Sequence, residues 1–331
     1  MDSTRPAVNG FLLLSKARGL TSMDAVRRVK RVTGLRKGVG HGGTLDPLAE
    51  GILVICLGQA TRLMEFLINE TKEYRMEVRL GVSTDTYDAE GVITSEKDPT
   101  HLTRQLVEEA LGKFRGILSQ MPPMHSALKK GGKRLYELAR QGLEVEREPR
   151  EVEVSRLTLV DYNLPYVTLE ADCGRGVYMR SLAHDLGEEL GCGAHVFSLE
   201  RTRIGPFHVD KSLSLEELVE AGEEGKWRDL VWAPDSLLLH LKSAVVDEAA
   251  EKCVRNGQPI SLGHRSLYAR HLEGYRLYSR SHQFFAVVRF NRPNNRWDPH
   301  KVFRIEEPSP YATQETPGDG RRRREPKSDP T

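Results

Sequence analysis

The sequence predicts a mixed α+β fold on a largely antiparallel sheet, followed by a small β-rich barrel. Three observations carry that expectation. Segments such as Lys72–Leu80 alternate apolar and charged residues with the two-residue period of a half-buried strand. Segments such as 101–114 space their apolar residues as a helix does, yet no long parallel strand-and-helix repeat develops. The region 242–306 then holds one helix and several short strands, enough for a compact accessory unit.

Taken in order, Gly10–Lys16 reads as a strand, and Ser22 is placed to cap a helix running through Val26, Val29 and Val32. Lys37–Glu50 is a glycine-rich loop containing Pro47, and it runs into Ile52–Leu57, an apolar run suited to a strand buried on both faces. Lys72–Leu80 puts Tyr74, Met76, Val78 and Leu80 on one face, and Leu102, Leu106, Val107, Ala110, Leu111 and Phe114 give the helix over 101–114. After Met121-Pro-Pro-Met-His-Ser-Ala127 comes a short basic helix with Leu135, Leu138 and Ala139 on one side. Strands follow near 152–162 and 166–173, and Gly174–Arg180 leads into a helix that ends at Gly191. A helix starts at Ser214, and Trp227 and Trp232 lie in a connection to the last unit. That unit has a helix over Val246–Arg255, a turn at Asn256-Gly257, and strands at Gly274–Tyr278 and Phe284–Phe290. Residues 307–331, with five prolines and the run Arg321–Arg324, lack apolar periodicity and read as a disordered, solvated tail.

The bulk properties narrow the function. With 331 residues, 38% hydrophobic and 29% charged, the chain has room for one large domain and a small one. No apolar run approaches the roughly 18 residues of a membrane span, and Met1–Asn9 is too polar for a secretory leader, so the protein is expected in the cytoplasm. Cys56, Cys173, Cys192 and Cys253 show neither a C-x-x-C pair nor metal-ligand spacing and read as reduced thiols. The formal charge is only +2, but between Lys16 and Lys37 eight basic residues face the single acid Asp24, and a second cluster comprises Lys129, Lys130, Lys133 and Arg134. Two basic clusters beside glycine-rich loops point toward a phosphate-binding surface.

Asp46 is a carboxylate in a glycine-rich loop ahead of a buried strand, and Pro47 biases it toward extended backbone. Such a loop on a rigid support exposes a functional group. A turn-capping aspartate is equally compatible with these residues alone. Tyr74, taken alone, reads as a core tyrosine, Arg180 as half of an ion pair, and His41 as loop packing.

The segment Lys37-Gly-Val-Gly-His-Gly-Gly-Thr-Leu-Asp-Pro-Leu-Ala-Glu-Gly-Ile-Leu53 resembles the motif around the catalytic aspartate of TruB-type pseudouridine synthases. The resemblance continues through Gly58-Gln-Ala-Thr-Arg62, Lys72-Glu-Tyr74, Gly81-Val-Ser-Thr-Asp-Thr-Tyr-Asp-Ala-Glu-Gly91, Gln120-Met-Pro-Pro-Met-His-Ser-Ala-Leu-Lys129, Gly174–Arg180 and Gly191-Cys-Gly-Ala-His195, most of residues 10–205 in the family's order. It implies an α+β catalytic domain at about 8–240, with an RNA-gripping insertion at about 120–150. A small PUA-like RNA-binding β-barrel at about 241–306 is implied more loosely, by Asn256-Gly-Gln-Pro-Ile260 and Phe284–Phe290. Gly42 departs from the family pattern, where Thr or Ser often stands, and puts a local hydrogen bond in doubt.

What the resemblance implies chemically is isomerisation of uridine to pseudouridine at position 55 in the T-arm of tRNA, with the base flipped out of its stack and no metal or organic cofactor. The catalytic set falls on Asp46 as nucleophile, Tyr74 and Arg180. A carboxylate must be ionised to act here, and a neighbouring guanidinium is the expected means. Substrate contacts fall on His41, Leu199, Lys16, Lys30, Arg31, Tyr178 and Lys129, with Leu199 at the uracil and His41 filling the space the base leaves. The partner implied is the tRNA T-arm, with no obligate protein partner. Two other readings remain: a tRNA-binding or tRNA-folding protein with incidental catalysis, and a glycoside or nucleoside hydrolase. The second requires another positioned acid, which the motifs do not single out.

Overall fold

Gly10–Lys16 (β1) opens the chain's larger sheet, and a computed structural model describes residues 7–313 apart from 127, 131, 136, 137, 139, 140 and 144. Two units emerge. One spans Phe11–Val231, and the other comprises the residues from Trp232 onward with the N-terminal residues up to Gly10. Among the described residues no helix is long and apolar enough to cross a membrane.

The first helix, Ser22–Thr33 (α1), forms where expected but is capped one residue earlier. The Thr21 side chain accepts from the Asp24 backbone N–H, and Asp24 reaches back to Thr21, completing a capping box. Ser22 is thereby released from capping and grips the neighbouring loop instead. Its hydroxyl donates to the Leu45 carbonyl at 3.0 Å and accepts from the Leu45 N–H at 2.9 Å. Ala25, Val26 and Val29 are buried on the inner face, each larger side chain contributing about 1.5–3 kcal/mol through burial.

Val39–His41 (β2) pairs antiparallel with Glu50–Leu57 (β3), and Gly51–Leu57 is buried throughout, as expected of a strand covered on both faces. Beyond the short helix Met64–Asn69 (α2) come Lys72–Leu80 (β4), Val82–Thr84 (β5) and Ile93–Glu96 (β6). The helix expected over 101–114 is shorter, Arg104–Leu111 (α3). Thr103 caps it, and a tighter turn over Gly112–Phe114 completes the stretch. Next are Gly116–Gln120 (β7) and two short strands, Lys129–Lys130 (β8) and Lys133–Arg134 (β9), which pair antiparallel. Leu135 of the expected basic helix is buried, but residues 136, 137, 139 and 140 lie outside the described residues, as does Arg321–Arg324.

Arg150–Asn163 (β10), Tyr166–Cys173 (β11), the helix Met179–Glu189 (α4), Ala194–Ile204 (β12), Phe207–His208 (β13) and the helix Leu215–Glu223 (α5) complete this unit. Nine strands form its main sheet, in the order β1-β3-β12-β4-β11-β10-β7 with β2 on β3 and β13 on β12. The β12–β3 pairing is parallel, while β12–β4, β4–β11, β11–β10 and β10–β7 are antiparallel. The sheet is therefore mixed and largely antiparallel, as anticipated. Its strand β12 was not anticipated. Register shifts at Val196/Ser198 and Arg201/Arg203 break the two-residue period that identifies strands, and the buried Arg201 masks an inward position as a polar one.

In the second unit, Lys242–Val245 (β14), the helix Glu248–Arg255 (α6), Gly274–Tyr278 (β15), Phe284–Asn291 (β16) and Arg296–Val302 (β17) surround a core that includes Trp297, Tyr275, Phe290 and Val254. The helix starts two residues later than expected, where Asp247 accepts from the Ala250 N–H. Among the described residues the four strands form one open sheet in the order β14-β15-β16-β17, so the expected barrel is not found closed. Four strands are too few to bring both edges together at ordinary tilt.

Gly51 bears directly on the sheet's parallel pairing. It has φ of 93°, and a Cβ there would lie 2.4 Å from the Arg201 carbonyl oxygen on β12. Neither backbone can yield without breaking β3 from β12. Gly51→Ala is expected to lower stability by about 3 kcal/mol, read as a shift of the urea midpoint at unchanged m-value.

Candidate active site

The loop between β2 and β3 holds Asp46 outward on a fixed base. Leu45, just before it, is buried and gripped at both backbone atoms by Ser22. The Asp46 carbonyl accepts from the Ala49 N–H at 3.1 Å, and the Pro47 carbonyl accepts from the Gly19 N–H at 2.8 Å. Upstream, Gly42 is buried, and a Cβ there would fall 2.0 Å from Leu67 Cδ2. The departure at Gly42 thus has a local cause: Leu67 occupies the space a larger residue would need.

Asp46 keeps 36% of its side chain exposed, whereas its partner Arg180 keeps 5%. Arg180 stands on the first turn of α4. Its Nε donates to Asp46 Oδ2 at 2.9 Å, one Nη to the Thr86 carbonyl at 3.1 Å, and the other to the His125 carbonyl at 2.7 Å. A second carboxylate, Asp88, lies 3.4 Å from Arg180 and is 6% exposed. Asp88 is itself held by the Thr86 hydroxyl at 2.6 Å and the Glu90 N–H at 3.1 Å. One buried guanidinium therefore sits between a buried carboxylate and a half-exposed one, the arrangement in which a buried charge is tolerable.

A cleft of about 250 Å³ opens above Asp46, lined among others by Thr44, Tyr74, Tyr178, Leu199 and Arg201. Tyr74 and Arg201 are cross-strand partners on β4 and β12. Burial pushes the Tyr74 phenol up from its ordinary value, and the Arg201 guanidinium beside it opposes that shift. Arg201 is 1% exposed, and its donors reach the Ile52 carbonyl at 2.9 Å and the Gly43 carbonyl at 3.2 Å. It thereby ties the aspartate loop to the central strands. Leu199 is buried in the cleft wall. Tyr178 precedes α4, and Gln120 fixes its backbone, accepting from its N–H at 2.8 Å and donating to its carbonyl at 3.1 Å. Burial raises the Tyr178 phenol above its ordinary value. Lys72, also lining the cleft, donates to the Ile68 and Glu70 carbonyls, and burial lowers its pKa to about 8.

The structure brings Asp46, Tyr74, Arg180, Leu199 and Tyr178 together, and it separates others. Lys16, expected on the nucleic-acid surface, is 1% exposed, and its ammonium donates to the carbonyls of Ala17, Leu20 and Pro47. This corrects the expectation: the last residue of an inward-facing strand end found carbonyls nearer than solvent, and it braces the aspartate loop from below. Lys30 is half-buried and Arg31 exposed, both in the last turn of α1. His41 is half-buried on β2, outside the cleft lining. Its Nδ1 is buried without a hydrogen-bond partner among the described residues, and burial, then Arg201, lower its pKa. Lys129 lies on β8. Asp88 and Arg201 were not singled out from the sequence. Asp88 sits inside a quoted motif among other acids, and Arg201 in a strand whose period is broken, so neither carried a separate signal.

Comparison with known proteins accords with this geometry. The description "TruB family pseudouridylate synthase (N terminal domain)" matches residues 30–179, and "tRNA pseudouridylate synthase B C-terminal domain" matches residues 180–245. A tRNA pseudouridine synthase B from Dehalococcoides mccartyi is 42% identical over 296 residues, covering 89% of this chain and 97% of that one. One from Geobacter sulfurreducens is 45% identical over 252 residues, covering 76% and 83%. A chain in the crystal structure of a Cbf5-Nop10-Gar1 complex superposes with a TM-score of 0.67 at 24% identity, covering 90% of this chain and 85% of that chain, a likeness of fold. By sequence over most of its length, and with that fold, the chain belongs to the TruB family of pseudouridylate synthases.

Proposed function

We propose that the protein isomerises uridine to pseudouridine at position 55 in the T-arm of tRNA, with Asp46 as nucleophile. The observation that carries this reading is Asp46 itself: a carboxylate at a cleft, fixed at 2.9 Å by a buried guanidinium and facing Tyr74 and Leu199. The flipped nucleotide enters the cleft, its base against Leu199 and stacked on Tyr74, a contact worth about 1–3 kcal/mol. The N1–C1′ bond breaks, the uracil turns, and a C5–C1′ bond forms. The proton lost from C5 matches the one gained at N1, so nothing is oxidised or hydrolysed. Asp46 attacks the sugar or the base. A tyrosine phenol ordinarily titrates near 10 and burial pushes Tyr74 further up, so its part is to stack and to relay a proton rather than to supply an anion. No metal or organic cofactor takes part.

In this reading the catalytic domain covers about 8–240, and the element at about 120–150, with basic β8 and β9, closes on the RNA. The exposed basic residues of α1, Arg27, Arg28 and Arg31, hold phosphates together with half-buried Lys30. His41 fills the space the base leaves. The unit at about 241–306 is a PUA-like RNA-binding domain, and the protein works in the cytoplasm without an obligate protein partner. The solvated tail expected over 307–331 does not begin at 307: the Ser309 N–H donates to the His282 carbonyl at 2.9 Å, its hydroxyl donates to Asp235 and Ala312 is buried, while residues 314–331 lie outside the described residues. Asp88 is 6% exposed and does not line the cleft, so it does not supply the second acid of a hydrolase.

Incubating uridine-labelled tRNA transcript with the protein, without added metal, is expected to yield pseudouridine at position 55 and no free uracil. Asp46→Asn should slow the reaction on the order of 10⁴-fold or more. Pseudouridine formed at an undiminished rate by that variant rejects the nucleophile, and free uracil points to hydrolysis. The two carboxylates on Arg180 should separate by stability: Asp88→Ala is expected to cost about 3–5 kcal/mol in denaturant unfolding, because it strips a buried charge of its buried partner. Asp46→Asn should cost far less, since the Asp46 side chain is 36% exposed.

A further inference from the structure

Tyr87 lies in the turn between β5 and β6 with φ of 63°, a left-handed backbone that a bulky residue seldom adopts. A strained residue persists only where its surroundings hold it. Its N–H donates to the Thr84 carbonyl at 3.2 Å, and its carbonyl accepts from the Val196 N–H on β12 at 3.1 Å. Its ring lies flat on the His184 imidazole, with centroids 3.9 Å apart and planes 9° apart. His184 Nδ1 is buried and makes no hydrogen bond among the described residues.

The place of this stack gives it meaning. His184 stands four residues after Arg180 on α4, so the two side chains share one helix face a turn apart. Tyr87 is flanked in the chain by the two groups that hold Arg180 on the side away from Asp46. These are the Thr86 carbonyl at 3.1 Å and the Asp88 carboxylate at 3.4 Å. A single ring thus fastens the turn that carries these acceptors to the helix that carries their donor.

We propose that the Tyr87–His184 stack is a positioning clamp for the reaction: it sets the Thr86 carbonyl and the Asp88 carboxylate against Arg180 and, through Arg180, fixes the approach of Asp46 to the bound nucleotide. Neither ring lines the cleft, so the clamp acts on the rate of the chemical step and not on RNA affinity. A displacement of the catalytic group by about an ångström lowers such a rate by about 100-fold. The inference rests on the reading of Asp46 and Arg180 given above.

The test uses the full-length protein and tRNA transcript, with three readouts: single-turnover rate, Kd for the tRNA, and Tm. Tyr87→Ala is expected to slow isomerisation about 10- to 100-fold with Kd unchanged within about twofold. Tyr87→Phe, which keeps the ring, should restore the rate. Tyr87→Gly separates ring from backbone: it accepts the positive φ without strain yet lacks the stack, and should be as slow as Tyr87→Ala. His184→Ala should match both. A wild-type rate in Tyr87→Gly or His184→Ala overturns the clamp, as does a loss mirrored in Kd or Tm and not repaired by Tyr87→Phe. Arg180→Ala serves as the reference: if it reacts at the wild-type rate, the reading of the site itself fails, whereas an inactive Arg180→Ala beside a full-speed Tyr87→Gly removes the clamp alone.

Discussion

The contact on which the site depends is the one between Arg180 and Asp46, 2.9 Å apart, made by a guanidinium with 5% of its side chain exposed. An unpaired charge at that depth is expensive, and the fold surrounds this one with acceptors from three chain segments: Asp46 after β2, Thr86 and Asp88 after β5, and His125 after β7. Those segments lie far apart in sequence. The demand of a single buried cation therefore draws separate loops to one point, and of the groups that meet there Asp46 also lines the cleft.

The sheet makes that convergence possible. Parallel pairing of β3 with β12 and antiparallel pairing of β12 with β4 place Gly51, Arg201 and Tyr74 side by side, so the strand leaving the aspartate loop and the strand carrying the cleft tyrosine are bridged by one buried arginine. Arg201 donates to Gly43 and Ile52 on either side of Asp46, while Lys16 and Ser22 grip Pro47 and Leu45. The aspartate loop is glycine-rich yet tethered at each end and from below, so its exposed carboxylate moves little. Rigid support beneath a reactive group is what transition-state positioning requires.

Much of this was legible from residue pattern alone where the pattern keeps its period. β4 alternates cleanly and β3 is apolar from Ile52 to Leu57, and both form where the pattern places them. Legibility fails where tertiary context overrides a local rule. Two bulges hide β12, a hydroxyl engaged elsewhere moves the α1 cap from Ser22 to Thr21, and an open four-stranded sheet stands where a barrel was expected. For the site, Asp46, Tyr74 and Arg180 are legible because they stand in segments that resemble known motifs. The burial of Lys16 is not legible, because a lysine in a basic cluster reads as solvated and no local signal shows that three backbone carbonyls await its ammonium. The role of Asp88 is not legible either, because its partner Arg180 is 92 residues away in sequence.

Whether Asp46, held by Arg180, is the group that meets the target nucleotide is tested most directly by a crystal structure of the protein bound to a T-arm stem-loop. The expected complex has the uridine extruded from its loop, its ring stacked on Tyr74 and against Leu199. An Asp46 carboxylate oxygen should lie within about 3–3.5 Å of the reacting sugar or base carbon, with the contact to Arg180 intact. A uridine still stacked in its loop, or one extruded into a site where another carboxylate lies nearer than Asp46, would contradict that assignment.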